Sequence, residues 1–225
     1  MASLSWVAVV LTFSLSVGNN LAVDQNYLTR SVQQILNTYK IDGMQSSFAV
    51  NIPEDQTRLG DVFRNDEGFR VTTKYGGGDV YTGTNVVAAA PDYGETFTDH
   101  AEARVLDNIQ GLAQRSAGHI LIIYSSLSPC GDKCASLTHR FNILDKIRQN
   151  VIPKWGDYAF VFSTVFDQIT AGKPIPPQQI KQALTNLAAA VGQNNIYRCY
   201  RPWRMDFRCI KCYNNGVAET QCIKN

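Results

Sequence analysis

Apolar residues recur at Leu28, Val32, Ile35, Leu36 and Tyr39, the spacing of one buried helical face. With Asp24 placed to cap the amino end, the pattern predicts a helix over residues 24–39. Ser47-Phe48-Ala49-Val50-Asn51-Ile52 then alternates and stops at Pro53, which predicts a short strand. Residues 69–75 alternate again in a β-branched and aromatic run, and Gly76-Gly77-Gly78-Asp79 turns the chain into a second run over 80–89. The two runs predict a hairpin. After a loop at 91–97, Thr98 is placed to cap a helix carrying His100 and Glu102, with Val105, Leu106 and Ile109 turned inward. His119-Ile120-Leu121-Ile122-Ile123-Tyr124 is apolar almost throughout, as a strand covered on both faces must be. A helix opened by Cys130 and Cys134 and ending near Val151, a strand over 158–162, and a helix begun by Pro176-Pro177 and reaching Ala190 complete the pattern.

This order of elements specifies an α/β fold: a central mixed sheet of about five strands with helices on its faces. Both motif-bearing helices would start side by side at one sheet edge, bringing His100, Cys130 and Cys134 together. One apolar run falls outside this scheme, between Leu4 and Leu15. It is too short for a bilayer, which needs about 20 apolar residues, and reads as the core of a secretory signal peptide. The expected division is a signal peptide at 1–22, an α/β domain at 23–192 and a cysteine-rich extension at 193–225. No later segment is apolar enough to serve as a membrane anchor, so the expectation is a secreted, extracellular protein.

Composition sharpens this only at the carboxyl end. The 225-residue chain carries a net charge of +2, which by itself argues for no polyanionic partner. Within residues 197–213, however, Arg198, Arg201, Arg204, Arg208 and Lys211 against Asp206 give +4, leaving −2 for the rest. Tyr197, Tyr200, Trp203, Phe207 and Tyr213 are interleaved with them. Guanidinium groups for phosphates and aromatic faces for bases are what single-strand binding requires, making Arg198, Arg201, Trp203, Arg204 and Arg208 a candidate nucleic-acid patch. The same residues also suit a small cap whose aromatics are core and whose arginines stay in water. Four of the six cysteines, Cys199, Cys209, Cys212 and Cys222, fall here with spacing C-x9-C-x2-C-x9-C. Two disulfides in any of three pairings, or a second, structural zinc, would account for them.

Chemistry concentrates at His100-Ala101-Glu102 and, after 26 intervening residues, Pro129-Cys130-Gly131-Asp132-Lys133-Cys134. One imidazole and two thiolates with a fourth position left open are a catalytic zinc arrangement, and a nearby carboxylate can move protons for a zinc-held water. A short disulfide between Cys130 and Cys134 is the plain alternative. Taken together, the segments resemble the signature H-x-E…P-C-x-x-C of the zinc deaminases, with three residues rather than two between the cysteines. Ser126-Leu127-Ser128-Pro129-Cys130 is similar to the Ser-Trp-Ser-Pro-Cys run of the AID/APOBEC-like branch, with Leu127 in place of tryptophan.

The chain most resembles the secreted novel AID/APOBEC-like deaminases described from ray-finned fish. That resemblance implies one Zn2+ per chain on His100, Cys130 and Cys134, and Glu102 as general acid and base. It also implies peptide groups around Ala101 and Ser128 on the pyrimidine edge, and Phe166 in a loop that reads a neighbouring base, unless Phe166 continues into the core. Gly78-Asp79-Val80-Tyr81-Thr82-Gly83-Thr84-Asn85-Val86 is similar to the free-nucleoside deaminase run in which the asparagine holds the ribose. Asn85 is therefore a substrate candidate or a turn residue, while Val87 stands where the sugar-binding glutamate would be. The implied function is hydrolysis of the exocyclic amine of cytosine in single-stranded DNA or RNA, with a role in immunity. The alternatives are a free cytidine or deoxycytidine deaminase, and a catalytically inactive secreted defence or binding protein.

Overall fold

The computed structural model describes residues 23–95, 97–169 and 172–225, so the signal peptide expected at 1–22 lies outside the described residues. α1 (Gln25–Tyr39) begins as expected: the Asp24 carboxylate accepts the Tyr27 N–H at 2.7 Å. The hydroxyls of Tyr27 and Tyr39 donate to the carbonyls of Pro53 at 2.6 Å and Asp66 at 2.8 Å, fastening both ends of the helix. β1 (Ser47–Pro53) is buried along its whole length.

The next stretch overturns the alternation pattern. Residues 69–75 form no strand; α2 (Leu59–Asn65) is followed by α3 (Gly68–Gly76). Val71 and Tyr75, one turn apart, are the buried pair, while Phe69 is 81% exposed. Spacing of four satisfies those residues as well as spacing of two, and the tertiary contact decides: the Tyr75 hydroxyl donates to the Tyr39 carbonyl on α1. The hairpin lies further on, between β2 (Tyr81–Thr82) and β3 (Val86–Ala89). Its turn folds around the buried Asp66 carboxylate, which accepts from the Tyr81 hydroxyl at 2.9 Å, the Thr84 N–H at 2.9 Å and the Asn85 N–H at 2.7 Å. A Cβ on Gly83 would lie 1.8 Å from Asp66 Oδ1, so only glycine fits there.

The ribbon β4 (Asp92–Tyr93) and β5 (Thr98–Asp99) leads into α4 (Ala101–Asp107) and α5 (Gln110–Ala113). Then follow β6 (His119–Leu127), α6 (Ile143–Asn150), β7 (Tyr158–Thr164), α7 (Pro177–Val191), β8 (Ile196–Tyr200) and β9 (Arg208–Lys211). A last ribbon pairs β10 (Tyr213–Asn214) with β11 (Val217–Ala218). The main sheet has the order β2-β3-β1-β6-β7-β8-β9. β6, β7 and β8 are parallel and the other neighbours antiparallel, so the sheet is mixed as the pattern implies. It has seven strands rather than about five because residues after 192 supply β8 and β9.

Period-2 alternation divides the buried residues between two cores. Leu121, Ile123, Phe160 and Phe162 pack under α4, α6 and α7, and Ile120, Ile122, Tyr124 and Val161 pack under α1, α2 and α3. The four carboxyl-terminal cysteines form the disulfides Cys199–Cys209, across directly paired residues of β8 and β9, and Cys212–Cys222. Among the described residues no helix is long and apolar enough to cross a membrane.

Candidate active site

The antiparallel start of the sheet and the parallel β6–β7 pair leave an opening at the carboxyl end of β6, where open α/β sheets place their ligands. His100 is the residue that caps α4, in extended backbone, and not a residue within it. Thr98 is no cap; it pairs with Tyr93 in β5, so the β4–β5 ribbon sets the entry angle of His100. Pro129 and the two cysteines follow β6 directly. They lie in a tight turn closed by the Ala135 N–H on the Cys130 carbonyl at 2.8 Å, and α6 begins only after Asn142 caps it. The helix expected to open at the cysteines is thus replaced by a turn and a loop.

The three side chains nevertheless converge. One nitrogen of His100 and the sulfurs of Cys130 and Cys134 all lie within 4.8 Å of one another. Nδ1 is the nitrogen turned inward, 3.0 Å from Cys134 Sγ and 3.7 Å from Cys130 Sγ. Cys130 Sγ also accepts the Cys134 N–H at 3.3 Å. The two thiols are pushed apart: the hydrogen bond from Cys134 and then the neighbouring imidazole push Cys130 down to about 5, while the same bond and burial push Cys134 up. The Cys130 thiolate in turn holds His100 above the ordinary imidazole value. No disulfide joins the cysteines.

Glu102, 2% exposed, sits on the first turn of α4. Its Oε1 accepts the Ser125 hydroxyl at 2.8 Å, whereas Oε2 is buried with no partner. Burial pushes the carboxyl above its usual value. A buried carboxylate oxygen left unmatched beside two soft sulfurs and an imidazole is the donor set of a zinc site that reserves a place for water. The residues present fit the metal. Ser125 was not among the expected site residues; the signal for it is a hydroxyl in an otherwise apolar strand.

The remaining candidates separate. Ala101 is the first residue of α4, and without a side-chain cap its N–H has no helical partner. Ser128 and Phe166 share a cavity of about 380 Å3 running from Cys130 to α7. There the Ser128 hydroxyl accepts the Phe166 N–H at 2.9 Å, tying the post-β7 loop to the cysteine turn. Asn85 is not at this site. Its carbonyl pairs with the N–H of Asn51, four ladder positions from the Ser47–Ser125 level where Glu102 bonds, or about 13 Å at 3.3 Å per residue. Gly83 and Asn85 answer to the Asp66 cradle, which explains the Thr-Gly-Thr-Asn run without a substrate.

Arg198 is bound largely to the protein's own groups. It is 7% exposed and donates to the carbonyls of Ser163 and Lys224 and to Asn225 Oδ1 at 2.8–2.9 Å. Arg201, Trp203 and Arg204 are exposed and Arg208 partly so. Arg198 and Arg201 both line a groove of about 830 Å3 with Lys40, Tyr124, Tyr200 and Phe207, on the α1 side of the sheet.

No curated protein matches the chain. A family model described as Secreted Novel AID/APOBEC-like Deaminase 1 matches residues 25–225, both the site-bearing core and the disulfide-tied strands. The chain therefore belongs to the secreted novel AID/APOBEC-like deaminase 1 family.

Proposed function

We propose that the protein is a zinc-dependent deaminase that hydrolyses the exocyclic amine of cytosine in single-stranded nucleic acid, exported to act in immunity. The observation that carries this reading is the unpartnered Oε2 of Glu102, buried beside His100, Cys130 and Cys134. A purely structural metal site has no use for an unligated buried carboxylate. Zinc, one per chain, would lower the pKa of a water and so supply the nucleophile at neutral pH. Glu102 would do the proton work: its Oε2 would carry the water's two protons in turn, the first to N3 of cytosine as the oxygen bonds to C4, the second to the amine as the C4–N bond breaks and ammonia leaves. Ser125 holds Oε1, so the carboxylate presents one fixed oxygen to the base. The Ala101 N–H and the peptide groups around Ser128 would hold the pyrimidine edge, with Phe166 next to them. The target base must be unstacked to enter. Arg201, Trp203, Arg204 and Arg208 would meet the strand further out.

The test is Glu102→Gln in the zinc-loaded protein, with cytidine, single-stranded DNA and single-stranded RNA as substrates and products read by mass. Glutamine keeps the size and the Ser125 bond but cannot relay protons. General acid–base catalysis is worth about 10²–10⁴-fold, and one residue serving several steps should lose at least the upper part of that range. Zinc content should stay at one per chain. Retention of more than about a tenth of the activity would place the relay elsewhere. A zinc-loaded wild type inert on all three substrates would favour a binding protein.

A further inference from the structure

Two loops that carry metal ligands also carry a feature the catalytic group does not use. Phe97, three residues before His100, stacks on Phe141 with ring centroids 5.7 Å apart and planes 9° from parallel. Lys133, the neighbour of Cys134, places its ammonium 5.7 Å from the centre of each ring and donates to the Thr98 carbonyl. The Arg140 guanidinium lies 4.4 Å from the Phe141 centroid. Phe97 is still 53% exposed, so the stack is unfinished on its solvent side. We propose that Phe97, backed by Phe141, Lys133 and Arg140, is a stacking subsite for a base next to the target cytosine in a single-stranded polynucleotide, DNA or RNA. This rests on the deaminase reading above and names how that site would grip its strand.

Charge argues for a base and not merely a phosphate as the occupant. Asp92, Glu95, Asp99 and Asp132 lie on the same loops and outnumber Lys133 and Arg140, so the local field does not gather polyanions. A flat apolar face flanked by two cations gains from stacking and cation–π contact, which every base can supply. Each cation can also meet at most one phosphate, so dependence on salt through this subsite stays shallow.

The experiment uses the zinc-loaded full chain carrying Glu102→Gln as parent, with fluorescein-labelled single-stranded DNA and RNA oligonucleotides containing one cytosine, and dissociation constants read by anisotropy. Phe97→Ala should weaken binding about fivefold to a hundredfold, the usual value of one stacked base. Phe97→Trp should restore it to within about twofold. An abasic site moved through the positions flanking the cytosine should find one position that costs the parent at least about fivefold and costs Phe97→Ala little. Zinc content is measured on each variant, and the abasic scan on the parent decides even if Phe97→Ala loosens the ligand loop. A parent with no sensitive flanking position overturns the subsite while leaving the deaminase reading intact, as does parent-like binding by Phe97→Ala. A parent that binds neither oligonucleotide overturns the polynucleotide substrate and the subsite together. Loss confined to one oligonucleotide identifies which sugar the strand carries.

Discussion

Glu102 carries a cost that its neighbours do not relieve. One oxygen has the Ser125 hydroxyl and the other has nothing, so ionising the carboxyl in the metal-free protein strands a charge in the core. Its folded pKa is raised by burial. A group with a raised folded pKa contributes stability that is complete below its unfolded value, about 4.3. That contribution is lost as pH rises through the folded value. Metal-free protein should therefore weaken as pH climbs past that unfolded value. Glu102→Gln, which cannot ionise, should flatten this limb and melt higher than wild type at pH 8. The measurement is melting temperature against pH in the presence of chelator for both proteins; parallel curves would show that the carboxyl is paired or hydrated and not stranded. Zinc should narrow the gap, because a cation next to the site favours the charged form.

At the scale of elements, the post-β7 loop is held by the end of the described chain. Arg198 on β8 donates to the carbonyls of Ser163 and Lys224 and to Asn225. Asn225 in turn accepts the Val165 N–H at 2.9 Å and donates to the Val165 carbonyl and Asp167. Arg198→Ala would strip several half-buried acceptors of their donor at once, costing about 2–4 kcal/mol in urea unfolding. Arg198→Lys should recover less than half, since an ammonium lacks the planar fork. Unchanged stability with weakened nucleic-acid binding would place Arg198 in the patch. The same residue shows where the sequence stops being legible: arginines among aromatics look alike whether they face water or the tail of their own chain, and only the fold chooses. Patterning did place α1, β1, β6, β7 and α7, whose apolar residues fit a single period. It failed at α3, where Val71 and Tyr75 fit both periods, and at the cysteine turn, where spacing fixes the ligands but not the backbone between them. The convergence of His100, Cys130 and Cys134 was legible because a candidate ligand set is a matter of residue type and order. Asn85 was misplaced because a short motif can be satisfied by a turn around Asp66 that no local sequence reveals.

Across the whole molecule two disulfides and one candidate metal group act on different parts of the sheet. Cys199–Cys209 lies in the core under α1, Cys212–Cys222 lies in the core under α7, and the His100, Cys130 and Cys134 group joins the start of α4 to the turn after β6. Each disulfide closes a sequence separation of 10 residues. Chain entropy for so short a loop gives about 2.5–3 kcal/mol apiece. The metal would tie positions 34 residues apart, and its contribution grows with free zinc as a binding equilibrium, reaching about 4 kcal/mol at a thousandfold excess over the dissociation constant. Chelation should therefore lower the melting temperature more than the Cys199→Ser/Cys209→Ser pair does. For a domain of this size, where 1 kcal/mol moves the midpoint by about 2–4 °C, the expected drops are about 8–16 °C and 5–12 °C. The effect of chelation should also grow with pH, because the Cys134 thiol, held protonated by its bond to Cys130 and by burial, must lose its proton before both sulfurs can ligate. Calorimetry with metal analysis and thiol alkylation separates the contributions. One zinc per chain and four alkylation-resistant carboxyl-terminal cysteines are expected. Two zincs, or a chelation effect that shrinks as pH rises, would mean that the metal is held by groups other than this thiol pair.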